Sequence, residues 1–174
     1  MKEPRKWYSI SLTHLLKSIF YIGLPFFYLF PLMLVPLSMV TGHTVYYNIN
    51  PPCLVIYDEF MMPENSAGAT RAYIVYIRPE LYDEPMVHHH EYKHVEQYWY
   101  SLGFQKFFYL NSVQYRLLYE YEAYVEGLKY SNDFENDLLM AAAALSNPAY
   151  NLRISPELAY LLLQNGINKH RGIE

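Results

Sequence analysis

The chain of 174 residues has one cysteine, Cys53. An internal disulfide is excluded, and so is a site built from several thiolates, which leaves histidine and carboxylate as the ligands available to any metal. Charge is also sparse. Only 17% of the residues are charged, and 13 basic against 17 acidic side chains give a formal net charge of -4. No broad basic surface follows, so nucleic-acid binding by phosphate neutralisation finds no support. Internal repeats and low-complexity tracts are absent from the sequence, and the length suits one domain with one real core.

Tyrosine, by contrast, is abundant, with 20 residues, mostly between Tyr46 and Tyr130. A large apolar ring carrying one hydroxyl suits an interface, a membrane boundary or a polar-lined cleft, although most of these rings read as ordinary core and surface residues. The other conspicuous feature is the uncharged run from Ile19 to Val40, which follows Lys2, Arg5, Lys6 and Lys17 with only Glu3 against them. Its 22 residues are long enough to cross a hydrocarbon core. Pro25, Pro31 and Pro36 each remove a backbone donor, so a kinked span and an interfacial hairpin are both compatible with it. A buried helical hairpin is the alternative. No small-residue cleavage site follows, and the basic flank predicts a cytoplasmic N-terminus with the remainder on the non-cytoplasmic side. The chain thus divides into a membrane-associated segment, 1–42, and a domain, 43–174.

Past Thr41 and Gly42, three runs rich in β-branched and aromatic residues read as strands: Thr44–Asn48, Leu54–Tyr57 and Ala72–Arg78. Between the last two, Met61 to Thr70 has the turn chemistry of an exposed loop. From Asp83 on, the pattern is helical. Asp83 and Pro85 open a helix that Gly103 closes, a second holds Gln114 to Tyr130, and Asn132 or Asp133 begins a third that stops before Asn147 and Pro148. Ser155, Pro156 and Glu157 start a fourth, closed near Gly166. The expected fold class is α+β.

The first of these helices carries His90, Glu91, Tyr92, Lys93 and His94, an HExxH motif. Residues four apart lie one turn above each other, so His90 and His94 present two imidazoles to one ion. Glu91 sits beside that ion without binding it and is placed to take a proton from a water held there, whose pKa a zinc ion brings down to about 7. A catalytic zinc takes three protein ligands. The next helix offers Glu120, Glu122 and Glu126. Glu120, Ala123 and Gly127 share one face, whose small residues permit close approach to the HExxH helix, whereas Glu122, Glu126 and Lys129 share another. Glu120 is therefore the expected third ligand. Glu122, about 200 degrees away around the helix, is the alternative.

These residues carry a resemblance. The run His90 to Gln97, followed 26 residues after His94 by Glu120 in a Glu, any, Glu, Ala, Tyr setting, resembles the gluzincin branch of zinc metallopeptidases, and within it the small, often membrane-linked members. The resemblance implies a minimal zincin-like domain, a peptidase acting on peptide or protein substrates, Zn2+ as cofactor, and the first Glu of the second motif as ligand. It also implies that the strand Ala72–Arg78 is the edge strand on which an extended peptide lies. One position departs: an Asp often found after the Ala of the glutamate motif is here Tyr124.

Beside this main pair, Gln97 falls on the side of His90 and His94 and is a candidate to hydrogen-bond a ligand or substrate. Tyr124, one turn after Glu120, is a candidate donor to an oxyanion. His88 and His89 read as first-turn residues, with His89 an alternate ligand, and Tyr92, Val95 and Trp99 read as core contacts. A non-catalytic membrane or assembly protein that retains a zinc-binding fold is the competing reading, and a protein whose apolar segment is itself the functional part is a third.

Overall fold

The structure is a computed structural model that describes residues 44–58, 62 and 66–172. The apolar run 19–40 and the proposed segment 1–42 lie outside the described residues. From Thr44 the chain forms one compact α+β unit. Its strands are β1 (Thr44–Ile49), β2 (Pro52–Tyr57), β3 (Gly68–Arg71) and β4 (Ile74–Ile77). Its helices are α1 (Pro85–Tyr100), α2 (Gln105–Asn111), α3 (Val113–Leu128), α4 (Phe134–Leu145) and α5 (Pro156–Arg171).

The four strands make one mixed sheet in the order β1-β2-β4-β3. β1 and β2 are an antiparallel hairpin, with Tyr46 opposite Val55 and Asn48 opposite Cys53. β3 and β4 are a second hairpin, turned at Ala72, whose φ of 60° is left-handed. The two hairpins join through the parallel pair β2 and β4, where Val55 stands opposite Val75. Alternation sends Cys53, Val55, Val75 and Ile77 to one face, where they bury against Val95 of α1, with Tyr92 and Trp99 packed around them. Tyr92, Val95 and Trp99 are thus core contacts, as the sequence suggests.

Two strand expectations are corrected. The stretch Met61 to Thr70 is not a loop throughout, because its end, with Arg71, forms β3; Gly68 and Ala69 give no β-branched signal, and pairing with β4 supplies the order that propensity lacks. In consequence β4 is not an edge strand. It lies between β2 and β3, and β3 ends the sheet.

α1 begins with Pro85 in the first turn, where its missing N–H costs nothing. The residue before it, Glu84, occupies the N-cap position in place of Asp83, with no side-chain bond to the helix. Beyond its last residue Leu102 and Gly103 have φ of 52° and 85°, and the Gly103 N–H donates to the Tyr98 carbonyl at 2.9 Å, which stops the helix as anticipated from Gly103. α2 was not expected from the sequence. Ser112 then caps α3 by accepting from the Tyr115 N–H, and Ser155 caps α5 by accepting from the Leu158 N–H.

A second core lies among α3, α4 and α5, where Leu128, Leu138, Leu145, Leu163 and Ile167 are fully buried. Each such side chain contributes on the order of 1.5–3 kcal/mol by leaving water. α5 does not close near Gly166. It runs through that glycine to Arg171, because Gly166 is a point of close approach: a Cβ there would lie 2.5 Å from the Tyr121 hydroxyl and 2.7 Å from Val125 Cγ2 on α3.

Candidate metal centre

α1 and α3 lie against each other, and Gly127 shows how closely. A Cβ at this position would stand 2.7 Å from the Met86 carbonyl oxygen and 3.3 Å from His90 Cβ. Ala123, one turn earlier on the same face of α3, is completely buried. The small-residue face therefore brings Glu120, at its other end, up to the HExxH helix.

There the three expected ligands meet. One ligand atom each from His90, His94 and Glu120 lies within 4.8 Å of the others, the one such cluster among the described residues. Glu120 Oε2 stands 3.6 Å from Nε2 of His94 and 3.9 Å from Nε2 of His90. Those separations are too long for hydrogen bonds and suit three donors arranged around one cation. Glu120 Oε2 is buried without a hydrogen-bond partner, as is His90 Nδ1. A buried carboxylate oxygen facing two imidazole nitrogens is costly unless a cation or proton joins them, so the donor set fits a metal ion. Glu122, the alternative, lies outside the cluster. Its Oε2 accepts from Gln97 Nε2 at 3.1 Å.

The surroundings orient these donors. Gln97 spends its amide N–H groups on the Tyr119 carbonyl and Glu122, which leaves Oε1 to accept from His94 Nδ1 at 2.9 Å. That bond places a proton on His94 Nδ1 and turns Nε2 toward Glu120. Gln97 is accordingly hydrogen-bonded to His94, one of the three candidate ligands. Glu120 Oε1 is held by the Tyr109 hydroxyl at 2.7 Å. Arg116 in turn fixes Tyr109 by donating from Nε to its carbonyl at 3.1 Å, and reaches the Tyr150 carbonyl from Nη1 at 3.0 Å. Tyr124 sets its ring against His90, with centroids 4.3 Å apart, and its hydroxyl lies 3.4 Å from that of Tyr150.

Glu91 is buried beside this cluster. Thr70 of β3 donates to its Oε2 at 2.6 Å, and a Cβ at Gly68 would collide with its carboxylate, at 2.6 Å from Oε1. Burial raises the Glu91 carboxyl to about 7, opposed by His94 and by the Thr70 hydroxyl. His90 is lowered to about 3 by burial and by His94. Burial also disfavours the charged form of His94, yet the Glu120 carboxylate outweighs it and raises the imidazole to about 9. Burial works against the Glu120 carboxylate as well, but the charge of His94 dominates and lowers it. The shifts divide the groups into an ionised Glu120, a charged His94 paired with it, a neutral His90 and one carboxyl, Glu91, poised near neutrality.

His88 and His89 stay outside the cluster. His88 Nε2 meets the Tyr82 carbonyl at 3.0 Å, and His89 stacks on Tyr130 with centroids 3.4 Å apart. Tyr109, Tyr150, Arg116 and Thr70 were not singled out from the sequence. Each reaches the site from another element or across a loop, and no local pattern announces such a contact.

Compared with protein-family models, with curated proteins and with solved structures, the chain matches none of them. The site is therefore read from its own chemistry.

Proposed function

We propose that the chain is a zinc-dependent metallopeptidase with a minimal zincin-like domain. The observation that carries this reading is the convergence of His90, His94 and Glu120, with the buried carboxyl of Glu91 beside them. Two histidines and one carboxylate are a donor set of catalytic zinc, which leaves a position open. Zinc in such a set polarises a carbonyl oxygen and brings the pKa of water to about 7.

The protein's part is to place groups around that chemistry. Glu91, raised toward neutrality by burial, takes a proton from the attacking water and returns it to the leaving amine. Thr70 restrains the carboxylate through Oε2. Gln97 and Tyr109 restrain His94 and Glu120. β3 supports the peptide part of the reading, because it ends the sheet and contacts Glu91, so an extended chain added beside it would lie along the site.

The test is Glu91→Gln in the full chain, with metal content and peptide hydrolysis measured together. The variant is expected to keep about one zinc per chain and to lose roughly 10²–10⁴-fold in hydrolysis. Undiminished hydrolysis would refute the mechanism.

A second reading rests on burial. Glu91, His94 and Glu120 are all buried, as expected around an ion that joins α1 to α3 without reacting. X-ray absorption of the zinc-loaded protein separates the two, since a closed site has four protein ligands and a catalytic site three.

A further inference from the structure

We propose that α2 is a brace on the metal centre: Gln105 and Tyr109 are positioning residues for His94 and Glu120, and the order of α2 is linked to the presence of the ion. This inference rests on the metal-binding part of the reading above and not on hydrolysis.

α2 is too short to hold itself. Its seven residues are far fewer than a helix needs to be stable alone in water. Its burial is also slight. No residue of α2 is buried: Gln105, Phe108 and Tyr109 are half-buried, and Lys106, Phe107, Leu110 and Asn111 are exposed. An element with so little apolar contact belongs to the least stable part of a fold, so the few groups that it turns inward decide whether it docks.

Those groups lead to the ligands. Gln105 and Tyr109 stand four apart in the sequence and therefore one turn above each other on the same face of α2. Gln105 Nε2 donates to Gln97 Oε1 at 3.3 Å, the oxygen that also accepts from His94 Nδ1 at 2.9 Å. Tyr109 donates to Glu120 Oε1 at 2.7 Å. One face of one short helix thus reaches a ligand of α1 through Gln97 and a ligand of α3 directly. The remaining inward contacts are the ring of Phe108 against Tyr115, with centroids 5.1 Å apart, and the bond from Arg116 Nε to the Tyr109 carbonyl. Both hold only the end of α2 that the chain already joins to α3.

The linkage has a physical cause. An ion among His90, His94 and Glu120 fixes the side chains whose oxygens α2 uses as acceptors. Without the ion, Glu120 and Gln97 are free to turn, and α2 loses the bonds that dock it. Coupling of two binding events is reciprocal. If undocking of α2 weakens metal binding by about 10–100-fold, as loss of groups that orient metal ligands does, the ion suppresses undocking by the same factor.

The test is amide hydrogen exchange of the full chain, read by mass spectrometry with saturating Zn2+ and with chelator, beside zinc affinity from competition with a chromophoric chelator. In the wild type, zinc should slow exchange over 105–111 by about 10–100-fold and should affect α5, which carries none of these residues, much less. Gln105→Leu is expected to bind zinc about 10-fold more weakly, and Phe107→Ala, on the exposed side of α2, to bind it as the wild type does. Gln105→Leu combined with Tyr109→Phe keeps all three ligands. At saturating zinc this double variant should show protection of α1 and α3, while 105–111 exchanges as fast as with chelator. Zinc uptake by the wild type without slower exchange over 105–111, or with slowing no greater than that of α5, overturns the inference and leaves the metal site standing. So does zinc-dependent protection of 105–111 that the double variant retains. Failure of the wild type to take up zinc overturns both the inference and the reading on which it rests.

Discussion

Tyr109 donates a 2.7 Å hydrogen bond to Oε1 of Glu120, the carboxylate whose other oxygen faces His90 and His94. The bond spans two helices and leaves Glu120 one oxygen for a cation. Removing it frees the carboxylate to rotate without removing a ligand. Tyr109→Phe is therefore expected to weaken zinc binding by about 10–100-fold, and Gln97→Leu, which releases His94, by a similar factor. Competition with a chromophoric chelator measures both.

The ligands themselves should behave differently. His90→Ala, His94→Ala and Glu120→Ala each leave two of three donors, so each is expected to lose stoichiometric zinc on gel filtration. Glu122→Ala should retain it, because Glu122 bonds Gln97 outside the cluster. Equal losses for Glu120→Ala and Glu122→Ala would contradict the assignment.

Gly127 and Gly166 test the packing that brings α3 to its two neighbours. A methyl group at 127 meets the Met86 carbonyl, a backbone atom that cannot swing aside, and at 166 it meets Tyr121 and Val125. Each alanine substitution is expected to destabilise the domain by about 1–3 kcal/mol in denaturant titration. Only Gly127→Ala should also reduce zinc affinity, since it separates α1 from α3 at His90, whereas position 166 lies on α5.

Cys53 provides a pH-dependent signature. Burial raises its thiol from 9.0 to about 12, against an opposing hydrogen bond from Asn48. In the folded protein the thiol stays protonated while the unfolded chain ionises, so its contribution to stability is intact below pH 9.0 and is lost as pH rises toward about 12. Disulfide reagents should react slowly with native protein at pH 9 and rapidly once denaturant is added. Cys53→Ala should reduce the alkaline loss of stability.

Much of the helical half was legible because its signals are local. Pro85, Gly103 and the Ser155–Pro156 pair mark helix ends within one turn of the bonds they affect. The reading of Gly166 as a terminator failed because a glycine that ends a helix and one that admits a neighbouring helix look alike until the neighbour is in place. α2 was missed for a related reason. Its seven residues are too few to show a period, and its order comes from inward contacts such as Tyr109 with Glu120.

The sequence by itself determined the spacing of His90 and His94 on one face of α1 and the separation of Glu120 from Glu122 around α3. Both follow from the fixed 3.6-residue turn of a single helix. Tertiary structure alone decided that β3, and not β4, ends the sheet beside Glu91. It also decided that Thr70, Tyr109 and Arg116 hold the site. Those contacts join residues on different elements, and their energies depend on packing that no local pattern encodes.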